Sequence, residues 1–99
     1  MIYKVEIEKK VEKQIDKLKD NELKKDIKSK IIELRHNPRK GDHLFKNFYE
    51  LKAKNYRVYY AIFRGIIVIE NIHYDGLVHI TDFGDKDSQK RVISSLRSS

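Results

Sequence analysis

The sequence predicts an α+β fold in which a small antiparallel or mixed twisted sheet packs against an N-terminal helical hairpin and a C-terminal helix. Three observations predict it. Tyr3, Val5 and Ile7 alternate with Lys4, Glu6 and Glu8, the period of a half-buried strand. Two segments of helical period follow, and after them come several short β-branched and aromatic runs separated by turn residues. Runs of this kind in this order place helices on one face of a sheet.

The first helix starts near Lys10, where Val11, Ile15 and Leu18 recur at helical spacing among Lys, Glu, Gln and Asp. Lys19-Asp20-Asn21-Glu22 interrupts the pattern. Leu23, Ile27, Ile31 and Leu34 then define a second helix, stopped by Asn37-Pro38 because proline restricts its predecessor and lacks the amide hydrogen. So short a connection makes the two an antiparallel hairpin, and each must pack on something else to be stable. Arg39–Lys46 reads as a basic loop, Phe48–Ala53 as a strand and Asn55 as part of a turn. Tyr56–Phe63, Ile66–His73 and Leu77–Phe83 read as further strands. Arg64-Gly65 and Asp75-Gly76 are the expected hairpin turns between them. Ser88 is placed to cap a last helix whose inner face is Gln89, Val92, Ile93 and Leu96, and the tail 97–99 is expected to fray.

The chain's 99 residues suit a single domain spanning 1–99. With no cysteine, disulfides, thiolate nucleophiles and zinc–thiolate centres are excluded. No apolar run approaches the length of a membrane span, and the start of the chain lacks a signal-peptide layout. A cytoplasmic protein without membrane attachment is therefore expected. A formal charge of +7, from 22 Lys and Arg against 15 Asp and Glu, favours polyanions or an acidic protein as partner. The same bias also arises from lysine- and isoleucine-rich genome composition.

Phosphate loops, HExxH and nucleophile elbows are absent, and His36, His43, His73 and His79 lack metal-site spacing. No metal and no cofactor are expected. His73 and His79 flank Asp75-Gly76, which would set them on neighbouring strands. Arg57 stands alone among Tyr56, Val58, Tyr59, Tyr60, Ala61, Ile62 and Phe63. A guanidinium on a rigid strand can clamp a phosphate, or it can pair with Glu50 or Glu70 across the sheet; the residues alone leave both open. Arg39, Lys40, Lys46, Lys52 and Lys54 can line a cleft. Alternation groups Tyr59 with Arg57, making Tyr59 the aromatic to meet a ligand there if Arg57 faces solvent.

Tyr49-Glu50-Leu51-Lys52, then Tyr56-Arg57-Val58-Tyr59-Tyr60, and later Gly84-Asp85-Lys86-Asp87-Ser88-Gln89 resemble the RelE/ParE toxin superfamily. The likeness is greatest to its HigB-like and addiction-module-killer branches. The first strand, Ile31-Ile32-Glu33-Leu34 and Asn37-Pro38 agree with it, so the resemblance spans nearly the whole chain. It implies a toxin of a type II toxin–antitoxin system, neutralised by a cognate antitoxin. The activity implied is ribosome-dependent, metal-free cleavage of mRNA by attack of a 2′-hydroxyl on the adjacent phosphate, which inhibits translation. Under that resemblance Arg57 and Lys86 become the catalytic cations, with His73 or His79 as titratable group. Arg39, Lys40, Lys46, Lys52, Lys54 and Tyr59 become RNA-binding residues. The tyrosine that some ribonuclease members carry near the last helix is missing, since Asp87-Ser88-Gln89-Lys90-Arg91-Val92 stands there. ParE-type relatives share the fold, are associated with DNA gyrase inhibition and lack the ribonuclease residues. A catalytically inactive basic binding protein is a third possibility under the same resemblance.

Overall fold

The computed structural model describes residues 2–98, and the elements run β1 (Tyr3–Ile7), α1 (Lys9–Asp16), α2 (Asn21–Glu33), β2 (Asp42–Phe45), β3 (Phe48–Ala53), β4 (Tyr56–Ile69), β5 (Ile72–Asp85) and α3 (Gln89–Arg97). Met1 and Ser99, the latter part of the expected frayed tail, lie outside the described residues. One five-stranded sheet has the order β1-β5-β4-β3-β2. β1 runs parallel to β5 and every other pair is antiparallel, so the sheet is mixed, as an α+β reading allowed.

The two N-terminal helices form where helical periodicity puts them. α1 buries Val11 and Ile15, and α2 buries Leu23, Ile27 and Ile31. These meet Leu51, Val58, Tyr60, Val78 and Ile80 on one face of the sheet to make the core. Each fully buried aliphatic side chain contributes about 1.5–3 kcal/mol relative to exposure, enough to offset the weak intrinsic stability of short helices. Asp20 starts α2 by accepting a hydrogen bond from Leu23 N at 3.0 Å. This bond, first among several influences, holds the Asp20 carboxyl below its usual range.

Two expected turns are not turns. β4 runs without a break through Arg64-Gly65, where a bulge with Gly65 at φ 132° absorbs an extra residue. The reversal falls instead at Glu70-Asn71, whose φ values of 50° and 66° suit a tight two-residue hairpin loop. Asp75-Gly76 lies inside β5. Gly76 is needed there for space, because a Cβ would come within 2.5 Å of the Tyr3 ring and 2.3 Å of the Phe63 carbonyl oxygen. Consequently His73 and His79 occupy one strand, six positions and roughly 20 Å apart at about 3.3 Å per residue. The expected basic loop also contains strand β2, paired antiparallel to β3.

Helices cover both faces of the sheet, where the run order predicted one. α3 crosses the face opposite α1 and α2: its first residue meets Glu50 of β3, and its last, Arg97, lies 4.8 Å over the Phe45 ring of β2. Its Gln89, Val92, Ile93 and Leu96 are half-buried, and no α3 side chain is fully buried. α3 is therefore held by fewer apolar groups than α1 or α2. Among the described residues no helix is long and apolar enough to cross a membrane.

Candidate functional site

Alternation along β3, β4 and β5 sends Leu51, Val58 and Tyr60 to the core and Glu50, Lys52, Arg57, Tyr59 and Asp82 to the opposite face. Arg57 sits there between Lys52 of β3 and Gly84 of β5. Its Nη1 donates to the carbonyl oxygens of Tyr56 at 2.9 Å and Lys54 at 3.1 Å. Among the described residues its buried Nε has no hydrogen-bond partner. Among them too, no carboxylate pairs with the guanidinium: Glu50 is engaged by α3, and Glu70 lies in the turn at the far end of β4. The side chain is half-buried and hydrogen-bonded to neutral carbonyls, so its charge is available to an anion at this end of the sheet.

Three further cations share that end. Lys54 occupies the β3–β4 turn at φ 53°, and Lys52 stands beside Arg57. The backbone amide of Lys86 donates to Asn55 O at 2.7 Å, fastening the segment after β5 to the same turn. Lys52 and Lys54 pair with Asp42 at 3.3 Å and Asp20 at 3.6 Å. Both pairs are exposed, and such contacts break at little cost. Lys46 lies in the β2–β3 turn at the other end of β3, roughly 25 Å away along the strand at about 3.3 Å per residue. Arg39 lines a cavity of about 750 Å³ with Arg64, His36 and Asp75, and Lys40 pairs with Glu33. The structure thus gathers Lys52, Lys54, Arg57 and Lys86 and leaves Arg39, Lys40 and Lys46 elsewhere.

Tyr59 neighbours Arg57 on the correct face but is wholly buried beneath the crossing of α3, outside the main core. Its hydroxyl has no hydrogen-bond partner among the described residues. Burial first, and then the nearby Glu50 carboxylate, push its pKa up to about 12. Tyr60 faces the other way and is fully satisfied, accepting from Gly41 N at 3.0 Å and donating to Pro38 O at 2.8 Å. It pins the segment between α2 and β2, and burial raises its pKa to about 12 as well.

The histidines stand apart from the cationic end. His79 Nε2 lies 2.7 Å from a Glu8 carboxylate oxygen, and Lys10 reaches Asp82 at 3.3 Å close by. His79 is five positions before Gly84, roughly 15 Å along β5 from the level of Arg57 at about 3.3 Å per residue. His73 is exposed near the hairpin tip, farther still. The titratable groups around Arg57 and Lys86 include Lys52, Lys54 and Tyr59, whose phenol is held neutral at physiological pH by burial.

The sequence reading offered Glu50 as a partner for Arg57 and put Gln89 on the inner face of the last helix, but it missed that the two pair with each other. Glu50 is the one buried charged residue among those described, and its cover comes from a helix nearly forty residues later in the chain. The available signal was a lone carboxylate at an inward-pairing position of a short apolar strand.

The model of the ParE toxin of type II toxin–antitoxin systems, parDE, matches residues 5–74. Among solved structures, the chain is similar to a mutant of the E. coli toxin RelE in the free state, with 18% identity, a TM-score of 0.67, and coverage of 99% of this chain and 98% of that one. It is also similar to the isolated E. coli RelE toxin, with 20% identity, a TM-score of 0.59, and coverage of 91% and 98%. At these identities the structural likeness speaks for the fold. No curated protein matches the chain.

Proposed function

Because this chain belongs to the family of ParE toxins of type II toxin–antitoxin systems, we propose that it arrests growth by binding a macromolecular target and not by cutting RNA. Its toxin class implies a cognate antitoxin as partner. The target is DNA gyrase, with which ParE-type relatives are associated, and the cationic end formed by Lys52, Lys54, Arg57 and Lys86 contributes to engaging it. The observation that carries this reading is the separation of His73 and His79 from Arg57 and Lys86. Metal-free attack of a 2′-hydroxyl on phosphate requires a general base and acid within hydrogen-bond reach, and neither histidine stands within reach of Arg57 and Lys86. Glu50, the carboxylate that faces Tyr59 from β3, is buried and engaged by α3.

A second reading, ribosome-dependent mRNA cleavage, is favoured by one observation: Arg57 and Lys86 share one end of the sheet. Cleavage would then draw its proton transfers from Lys52, Lys54 or Lys86, or from groups of the target.

Induced expression in a growing host, with mRNA 5′ ends mapped and gyrase–DNA complexes trapped and quantified, separates the two. The expected result is growth arrest with intact mRNA and accumulated gyrase–DNA complexes, both lost in Arg57→Ala. Cuts within translated codons that vanish in Arg57→Ala would establish the ribonuclease reading instead.

A further inference from the structure

A second cationic feature lies away from Arg57. Arg64 is seven positions further along β4, roughly 23 Å at about 3.3 Å per residue, and it lines the cavity of about 750 Å³. His36 and Arg39 enter that cavity from the segment after α2, and Asp75 enters it from β5. The buried Tyr3 and Pro38 supply apolar lining. The volume is that of a small-molecule pocket, far larger than a bare oxyanion needs.

The walls are held from several directions. Tyr60 donates to Pro38 O at 2.8 Å and accepts from Gly41 N at 3.0 Å, which fixes the stretch of chain that carries Arg39. Asp75 Oδ2 accepts from Ile2 N at 2.8 Å, and Tyr3 N donates to Arg35 O at 2.8 Å. The cationic side chains, in contrast, are uncommitted. Among the described residues those of His36, Arg39 and Arg64 make no hydrogen bond or ion pair. Arginine is also scarce beside lysine in this chain: Arg35, Arg39, Arg57, Arg64, Arg91 and Arg97 complete its set. Arg39 and Arg64 line the cavity, and Arg35 lines the adjoining cleft that shares Tyr3. A genome bias towards lysine explains a basic surface but not the gathering of arginines around one tyrosine.

We propose that this cavity binds a phosphate monoester of mononucleotide size, its phosphate held between the Arg39 and Arg64 guanidiniums with His36 as a further donor. Guanidinium forks match phosphate oxygens in pairs. Two of them outweigh the single carboxylate of the lining, Asp75, one of whose oxygens is already taken by Ile2 N. A monoester carries about −1.5 to −2 charges at neutral pH, whereas a carboxylate or an internal phosphodiester carries a single charge, so the monoester gains most from paired cations. Tyr3 and Pro38 give the uncharged body of the ligand an apolar surface, and Asn37 gives it a polar contact. A free nucleotide and the 5′-phosphate end of an RNA strand both present this group. The cavity is separate from the cationic end of Lys52, Lys54, Arg57 and Lys86, so its ligand is independent of the toxin's target.

Isothermal titration calorimetry of the chain tests this with each of the four ribonucleoside 5′-monophosphates, their unphosphorylated nucleosides, and a short oligoribonucleotide with and without a 5′-phosphate. A monophosphate or the 5′-phosphorylated strand should bind, and the forms without that phosphate should not compete for the cavity. Arg39→Gln and Arg64→Gln should each raise the Kd about tenfold or more, the loss of one charge-assisted contact. Both side chains are exposed, so far-UV circular dichroism and the unfolding midpoint should hold in these variants. Arg57→Ala should bind the same ligand as the parent does. Binding of the monophosphates assigns the source to free nucleotide, and binding of the 5′-phosphorylated strand alone assigns it to a strand end; either supports the monoester site. Binding of neither overturns the proposal. So does an oligoribonucleotide held through Arg39 and Arg64 with equal affinity with and without its 5′-phosphate. A monophosphate lost in Arg57→Ala and retained in Arg39→Gln and Arg64→Gln would place the ligand at the other end of the sheet and also overturn it.

Discussion

Gln89 at the start of α3 directs its side-chain nitrogen at both carboxylate oxygens of Glu50 in β3, at 2.9 and 2.7 Å. Glu50 is only 4% exposed and has no cationic partner among the described residues. A buried carboxylate satisfied by one amide makes that amide the principal polar anchor of a helix that buries no apolar side chain completely. Gln89→Ala should therefore lower stability by about 1–3 kcal/mol, the cost of leaving a buried acceptor unsatisfied. Urea unfolding gives the magnitude, and faster exchange confined to the α3 amides would localise it.

The adjacent tyrosines should respond in opposite senses. Tyr59→Phe deletes a buried hydroxyl that has no partner among the described residues, so stability should be unchanged or higher by about 1 kcal/mol. Tyr60→Phe strips partners from Gly41 N and Pro38 O and should cost about 1–3 kcal/mol. Equal losses in the two variants would contradict the hydrogen-bond assignment.

Alkaline pH should unfold the protein through the same pair. Both phenols are raised to about 12, whereas an unfolded tyrosine titrates at about 10. A folded pKa above the unfolded one contributes stability that is complete below pH ~10 and is lost as pH rises towards ~12. The unfolding midpoint, followed from pH 8 to 12 (a range set by those values), should fall across the upper half of that window. Tyr59→Phe and Tyr60→Phe should each flatten the fall, and a curve unaltered in both variants would place the titration on other groups.

Gly76→Ala tests whether this glycine serves space or a turn. The new methyl would meet the Tyr3 ring and the Phe63 carbonyl inside normal contact distance, so a loss of about 1–3 kcal/mol or more is expected from overpacking. Asn71→Gly, at the true reversal with φ 66°, should be tolerated to within about 0.5 kcal/mol. Thermal or urea unfolding of both decides the matter, and the reverse ranking would contradict the observed hairpin.

Much of the fold was legible because short-range pattern and tertiary burial agreed. Val11, Ile15, Leu23, Ile27 and Ile31 mark the inner faces of α1 and α2 at helical spacing, and each is buried. The strand at Phe48–Ala53 has the bounds its composition predicted. The hairpins misled because Arg64-Gly65 and Asp75-Gly76 are strong local turn formers with other duties, a bulge in one case and contact with Tyr3 in the other. β2 was hidden because four residues at a sheet edge carry little periodicity. At the candidate site, alternation put Arg57 and Tyr59 on one face correctly, but it says nothing of what covers that face.

The classes of element, their order, the basic charge and the resemblance to a toxin superfamily are written in the chain, since periodicity, composition and ordered motifs are properties of neighbours along it. Folding in three dimensions settles where β4 turns, that His73 and His79 share a strand, that Glu50 is engaged by α3 and that Tyr59 is buried. Those outcomes depend on which strand end, ring or helix arrives from far along the chain. Local propensities of about a kilocalorie per mole give way to the burial of whole side chains.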